Sequence, residues 1–413
     1  MPVRNKALWG LVAANAVSAS GTRLSQIAIP WLVLTSTGSA SKTGIVAFAE
    51  LAPLVLAQTF GGPWVDRLGP RRVAVWCDAA SALLIAMFPV LYAADALSFP
   101  AVICIVAACG FLRGPADVGH HAMVPDIIRG TKLPAERVTG LIGTTDNLAG
   151  LVGAGVGGGI VAVLGAADAL ALNSATFLIS ALILLFATNS LKSPSSRAGD
   201  KASGSTGSYW SKLREGFAYL RSDRLLLGVI LLVAVTNMLN QGYSTVLLPT
   251  WAKESGNSAA IIGVLGACMG GSALLGALLA TWWGPKMPRF TIYMIGFLLA
   301  GAPRWVALAL GLPVPVLIGI TLLAGFGAGF LNPVLSALQF ERIPADLVGR
   351  VSATTLAVSW GLMPLGGLLA GFSVTLTGVG SALLLFAAIY LLATMAPAFL
   401  PQWRGMGQRR PVT

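Results

Sequence analysis

Residues 111–125 read FLRGPADVGHHAMVP, and residues 330–344 read FLNPVLSALQFERIP. In each stretch a proline follows soon after Phe-Leu, and a second proline closes the next apolar turn. Arg137-Val138 follows the first copy and Arg350-Val351 the second, each pair opening a new apolar segment. Outward from these two copies, the chain resolves into segments near the ~20 residues needed to cross about 30 Å of hydrocarbon. They fall at about 8–34, 43–65, 73–94, 99–120, 139–164 and 168–189, then 225–249, 258–283, 290–311, 314–338, 351–373 and 378–400. A matched feature near the end of the fourth and the tenth segment is what a six-plus-six repeat predicts. The expected fold is all-α and integral to a membrane: twelve transmembrane helices in two six-helix halves related by pseudo-twofold symmetry.

Composition agrees. The chain is 56% hydrophobic and only 10% charged, with a mean hydropathy of +0.80. A soluble domain carries about 25% charged residues, so this surface requires lipid. The 49 glycines and 23 prolines lie within apolar runs, where closely packed or kinked membrane helices tolerate them. A soluble enzyme, a secreted scaffold and a disordered chain are thereby excluded. Cys77, Cys104, Cys109 and Cys268 sit in apolar stretches and read as small buried hydrophobes, without a disulfide framework or metal site.

A net charge of +12 first suggests a polyanion. Its distribution argues instead for topology, and no nucleic-acid partner is expected. Twenty-two of the 27 basic residues fall in the termini and in every second loop. Lys42 and Lys253 stand on the opposite side, and Arg23, Arg113 and Arg304 lie within segments. The positive-inside rule places both termini in the cytoplasm. The first segment leads straight into the second without a cleavage region, so it reads as a span and not a signal peptide. Residues 190–208 form a Ser/Gly-rich linker, and 209–221 carry helically spaced apolar residues. That stretch suits either a helix at the lipid interface or a lead-in to the seventh span. The expected organisation is a half at 1–190, a cytoplasmic linker at 191–221 and a second half with its tail at 222–413.

The loop after the second span, GGPWVDRLGPRRV at 61–73, has Gly62, Asp66, Arg67, Gly69, Arg71 and Arg72. It resembles the loop signature of the major facilitator superfamily, with Pro70 in place of its first basic residue. The corresponding stretch of the second half, ATWWGPKMPRF, has Gly284 where Asp66 aligns. Span 5 partly matches the superfamily's glycine-rich antiporter motif through Gly140, Gly153, Gly157 and Gly158, with Ala149 and Ala154 as departures. The wider frame is similar to the macrolide-efflux and siderophore-exporter branch. This resemblance implies that Asp66 meets the start of span 11. It also implies that a basic loop residue pairs with an acid ending span 4, the place of Asp117. Span 5 then forms a pliable contact with span 8.

Charges inside spans cost about 2.5–3.5 kcal/mol each near the bilayer centre. Arg23 and Glu50 both fall in the outer half, where they could pair, either as a proton-sensitive couple or as a fixed ion pair. Arg113 occupies the place of a functional arginine in proton-coupled relatives; the alternative is a fixed pair with Asp146 or Asp117. Asp78 and Asp146 lie nearer the cytoplasmic ends of their spans, with Asp146 joining Arg23, Glu50 and Arg113 as a candidate coupling or cavity residue. Arg304 reads as reaching the outer interface, and His120 and His121 read as interfacial. Asn237, Asn240, Gln241, Tyr243, Asn332 and Trp360 either line a cavity or hold helices together.

The resemblance implies a secondary active transporter, with proton-coupled efflux of a drug-like or siderophore-like molecule by alternating access as the main expectation. A solute importer or uniporter and a non-transporting sensor are the alternatives. A small organic substrate, the proton and the lipid bilayer of the inner (plasma) membrane are the expected partners, and the chain is expected to act as a monomer. No cofactor is expected; the P-loop pattern is missing, and no nucleophile–base or metal constellation suggests an enzyme.

Overall fold

The computed structural model describes residues 3–131, 133–189, 209–344, 347–400 and 403, and none of these lies in a β-strand. The linker at 190–208 and Lys132 lie outside the described residues. Among the described residues, eleven straight or broken helices are long and apolar enough to cross a membrane. The first helix is long enough but too polar, because Asn15, four serines, Thr22, Arg23 and Gln26 punctuate it.

One compact unit contains Met1–Gly204 with Ser255–Val264. Its helices are α1 (Val3–Thr37), α2 (Ala40–Phe60), α3 (Gly62–Leu68), α4 (Pro70–Ala93), α5 (Phe99–Ala122), α6 (Val124–Gly130), α7 (Ala135–Leu164) and α8 (Ala166–Ala187). Helix starts follow local chemistry. The Ser39 and Ser98 hydroxyls accept from the backbone N–H groups of Lys42 and Ala101, capping α2 and α5. Gly69 links α3 to α4 at φ +91°, a conformation that a side chain disfavours. Despite its polarity, α1 packs on α7 and α8, while α5 packs on α2 and α4. Leu8, Leu11, Ala74, Met123, Ile127, Val138 and Leu184 form a buried apolar cluster where α1, α4, α6, α7 and α8 converge.

The second unit contains Ser205–Glu254 with Leu265–Thr413. It holds α9 (Tyr209–Ser222), α10 (Arg224–Gly242), α11 (Leu248–Glu254), most of α12 (Ala260–Trp283), α13 (Arg289–Ala300), α14 (Ala302–Ala309), α15 (Val314–Arg342), α16 (Val348–Gly361), α17 (Met363–Thr377) and α18 (Val379–Met395). Three of its spans are broken. A π-turn at Tyr243–Leu247 joins α10 to α11, Gly301 separates α13 from α14, and Leu362, ahead of Pro364, separates α16 from α17. Around these breaks Trp305, fully buried, stacks on Tyr243 at 5.5 Å and meets Tyr390 edge-on at 5.1 Å.

In the second unit, α9 packs against α16 and leads into α10. Its Gly216 lies against the backbone of Arg350, Glu215 pairs with Arg350 at 2.6 Å, and Leu220 is fully buried beside Ile343 and Val351. Asp223 then caps α10 by accepting from the N–H groups of Leu225 and Leu226, and pairs with Arg342 at 2.8 Å. Burial pushes the Asp223 carboxyl up, but Arg342 and the two backbone donors together outweigh it and hold it below the usual carboxylate range.

Both units present large apolar side chains outward, among them Trp76 at 75% exposure and Trp282 at 79%. On helices of this length and hydropathy, that surface is solvated by hydrocarbon.

Candidate functional site

Polar side chains from five helices of the first unit form one network, with Arg113 near its centre. Its Nη1 donates to Ser18 Oγ at 2.9 Å and to Asp78 Oδ1 at 3.1 Å, and its Nη2 to Asp117 Oδ1 at 2.7 Å. The guanidinium also lies 5.0 Å from the Phe177 ring. Asp78 is completely buried. Its second oxygen accepts from Ser180 Oγ at 2.7 Å and stands 3.3 Å from His120 Nε2. The other nitrogen of His120 lies 3.4 Å from Asn15 Oδ1, and Asn15 Nδ2 donates to Asp146 Oδ1. The chain of contacts thus runs Ser180–Asp78–His120–Asn15–Asp146, with Arg113 and Asp117 attached at Asp78.

Several sequence expectations change here. His120 is not interfacial but buried, at 4% exposure, because α5 turns it toward α4 and α1. Arg113 does take Asp117, one helical turn along the same face. Its second acidic partner is Asp78, not Asp146. Asp117 is therefore engaged by Arg113, and among the described residues no loop cation pairs with it. Arg71 instead turns to the end of α8, donating to Thr188 Oγ1 at 3.0 Å and to the Leu185 carbonyl at 2.6 Å. A helix C-terminus welcomes that cation. Asp66, Arg67 and Arg72 are exposed on the surface next to Gly69, and Gly62 has open space beside it.

Arg23 and Glu50 do not pair. Arg23 donates to Gln26 Oε1 at 3.0 Å, and the acid whose charge it feels is Asp146. Its stem lies on the α7 surface bared by Gly153, where an added Cβ would come 2.9 Å from Arg23 Cβ. Glu50 is half-buried on α2, over Gly110 of α5, and makes no ion pair among the described residues. The glycines of α7 divide as well. A Cβ on Gly158 would come 2.6 Å from Gly263 Cα, and Gly157 leaves ordinary contact distances to Leu24. Gly140 has nothing within 4 Å, so close packing does not extend to it.

Arg304 does not reach an interface. At 8% exposure, it donates to Asn240 Oδ1 and sits 4.7 Å from the Tyr243 ring. The break at Gly301 turns this face of α14 toward α10, where aromatic faces offset the charge. Asn237 is a helix tie, donating to the Ser359 carbonyl at 3.1 Å. Sequence reasoning missed the roles of Asn15, Ser18, Asp78 and Ser180. The spacing of Arg113, Asp117 and His120, at i, i+4 and i+7, was the available signal for a polar face on α5. Among the described residues, no group of three or more His, Cys, Asp or Glu side chains is arranged to hold a metal.

The family profile described as the Major Facilitator Superfamily matches residues 11–241 and again 230–405. The chain belongs to the major facilitator superfamily. Within it, the multidrug efflux pump Tap of Mycolicibacterium fortuitum is 28% identical over 95% of this chain and 95% of its own. The staphyloferrin A transporter of Staphylococcus aureus is 25% identical over 40% of this chain and 41% of its own. Among solved structures, a substituted form of the nucleoside transporter NupG superposes with a TM-score of 0.78 at 14% identity, covering 97% of this chain and 100% of that one. The chain is thus a multi-pass membrane transporter of the superfamily, and its fold is that of the superfamily.

Proposed function

We propose that the chain exports drug-like organic molecules from the cytoplasm in exchange for protons. The observation that carries this reading is the buried Arg113–Asp78–His120 cluster. Membrane proteins rarely keep ionisable groups inside spans unless the groups serve transport, since each is costly there. The resemblance to the Tap efflux pumps over nearly the full chain supports export of a multidrug type. On this reading the protein acts as a monomer in the inner membrane with both termini in the cytoplasm. Residues 1–190 and 222–400 alternate access to a central cavity. Asp66 and its neighbouring arginines bias the inward-closed state, and Gly153 and Gly158 keep α7 close to its neighbours.

The test is transport by the purified full chain in liposomes loaded with ethidium as a cationic probe and given an imposed pH gradient. Expected is probe movement that depends on the gradient and ceases when a protonophore collapses it. Probe movement that ignores the gradient would remove proton coupling. A panel of toxic compounds, tested on cells with and without the protein, tests the substrate class: unchanged growth inhibition across the panel would remove multidrug export.

A further inference from the structure

Both ring nitrogens of His120 face oxygen: Nε2 faces Asp78 Oδ2 at 3.3 Å, and Nδ1 faces Asn15 Oδ1 at 3.4 Å. A neutral imidazole has one N–H and one bare nitrogen. It would satisfy one of these contacts and set a lone pair against oxygen at the other. The imidazolium satisfies both. What turns the Asn15 oxygen toward His120 is the other end of the amide, whose Nδ2 donates to Asp146 Oδ1. An ionised carboxylate only accepts, so the amide has one orientation while Asp146 is charged.

Protonating Asp146 reverses the geometry. Its O–H then donates to the Asn15 oxygen, the amide turns over, and the NH2 group donates to a bare Nδ1 on a neutral His120. Every contact is again satisfied. In both arrangements the pair carries no net charge and one mobile proton. We infer that His120 and Asp146 are the two ends of a single proton-binding site, and that the orientation of Asn15 follows which end is loaded. When the load shifts, one proton leaves His120 Nδ1 and one joins an Asp146 oxygen; the amide itself carries none. Asp146 is half-buried and His120 is buried, so exchange with water occurs at the Asp146 end.

The surrounding charges are consistent with this. Arg113 and Asp117 stand on His120's own helix, Asp78 faces it from α4, and Arg23 of α1 acts on Asp146. On α6, Asp126 and Arg129 pair with each other at 2.6 Å. Glu50 of α2 acts on Cys109, further along α5, and Asp66 and Arg67 of α3 are exposed. Asp146 is therefore the carboxylate connected to Nδ1. This inference rests on the proton-coupled reading but is tested apart from it.

His120 and His121 are the only histidines in the chain, and His121 is exposed. The variant H121Q, carrying ring-labelled histidine in nanodiscs, therefore reports His120 alone by NMR across a pH series. Adding D146N should lower the pH at which the ring loses its proton by about one unit or more, as expected of coupled sites. D146E, which retains a carboxylate, should restore it. In an N15S background, D146N should have no further effect. A ring midpoint indifferent to D146N overturns the shared site. Should D146N fail to fold, N15S on its own decides: an unchanged midpoint overturns the proposal. Gradient-driven ethidium transport measured on H121Q separates the two claims. Coupled titration without proton-driven transport removes the proposed function and leaves the shared site. Proton-driven transport with an indifferent ring does the reverse.

Discussion

Asp78 and Asp117 both contact Arg113, yet their surroundings make different demands. Asp78 has a fully buried side chain and receives Arg113, Ser180 and His120, whereas the Asp117 side chain is 34% exposed and receives Arg113 alone. Breaking a buried pair leaves its partner's charge uncompensated, at about 3–5 kcal/mol. A partly exposed pair is screened and contributes about 1 kcal/mol or less. D78N should therefore lower the melting temperature and abundance strongly, and D117N slightly. Equal melting temperatures for the two variants would contradict this ranking. At this scale the sequence was partly legible. Arg113, Asp117 and His120 share a helical face that can be counted along the chain. Asp78, Ser180 and Asn15 join them only through the rotation of α4, α8 and α1 about their own axes. The largely apolar α4 and α8 do not encode that rotation in their pattern, and the scattered polar residues of α1 do not single out Asn15.

Helix packing yields two further expectations. On α7, a methyl group at Gly158 must displace backbone at Gly263, while one at Gly140 enters open space. G158A should destabilise by about 1–3 kcal/mol, the usual range for overpacking. G140A should stabilise by up to about 1 kcal/mol through helix propensity. Thermal melting of both variants checks this, and a G158A protein melting at or above the wild type contradicts it. The glycine-rich motif in the sequence did not separate these two positions, because the approaching residue belongs to another helix. At the start of α10, D223N keeps a side-chain oxygen for the cap but loses the ion pair with Arg342. Asp223 is held below its ordinary range, so its contribution is complete above the unfolded value near about 3.9. It is lost as pH falls through the lower folded value. The wild type should outmelt D223N at neutral pH and lose that advantage in acid below about pH 4. An advantage that persists there argues against the ion pair.

For the molecule as a whole, hydropathy and the repeated Phe-Leu-Pro stretches carried most of the fold. The exception was α1, whose polar residues dilute its apolarity because they face other helices: Ser18 serves Arg113, Ser25 serves Asn173, and Asn15 serves Asp146. The distribution of basic residues predicts an orientation. In a background without native cysteines, cysteine at 42 or 253 should react with an impermeant thiol reagent on intact cells. Cysteine at 67 or 137 should react only after the cells are opened. Labelling of position 67 from outside inverts the topology. The outward-facing tryptophans bear on how the protein responds to light. Trp9, Trp64, Trp76, Trp282 and Trp283 are more than half exposed, whereas Trp251, Trp305 and Trp403 are almost fully enclosed. Bromine atoms on acyl chains extinguish the fluorescence of indoles they touch and spare those they cannot reach. Reconstitution into brominated lipid should therefore remove part of the emission and leave a residue from the enclosed rings. Replacing Trp305 with phenylalanine should diminish that surviving signal, whereas replacing Trp76 should diminish only the part that bromine already removes.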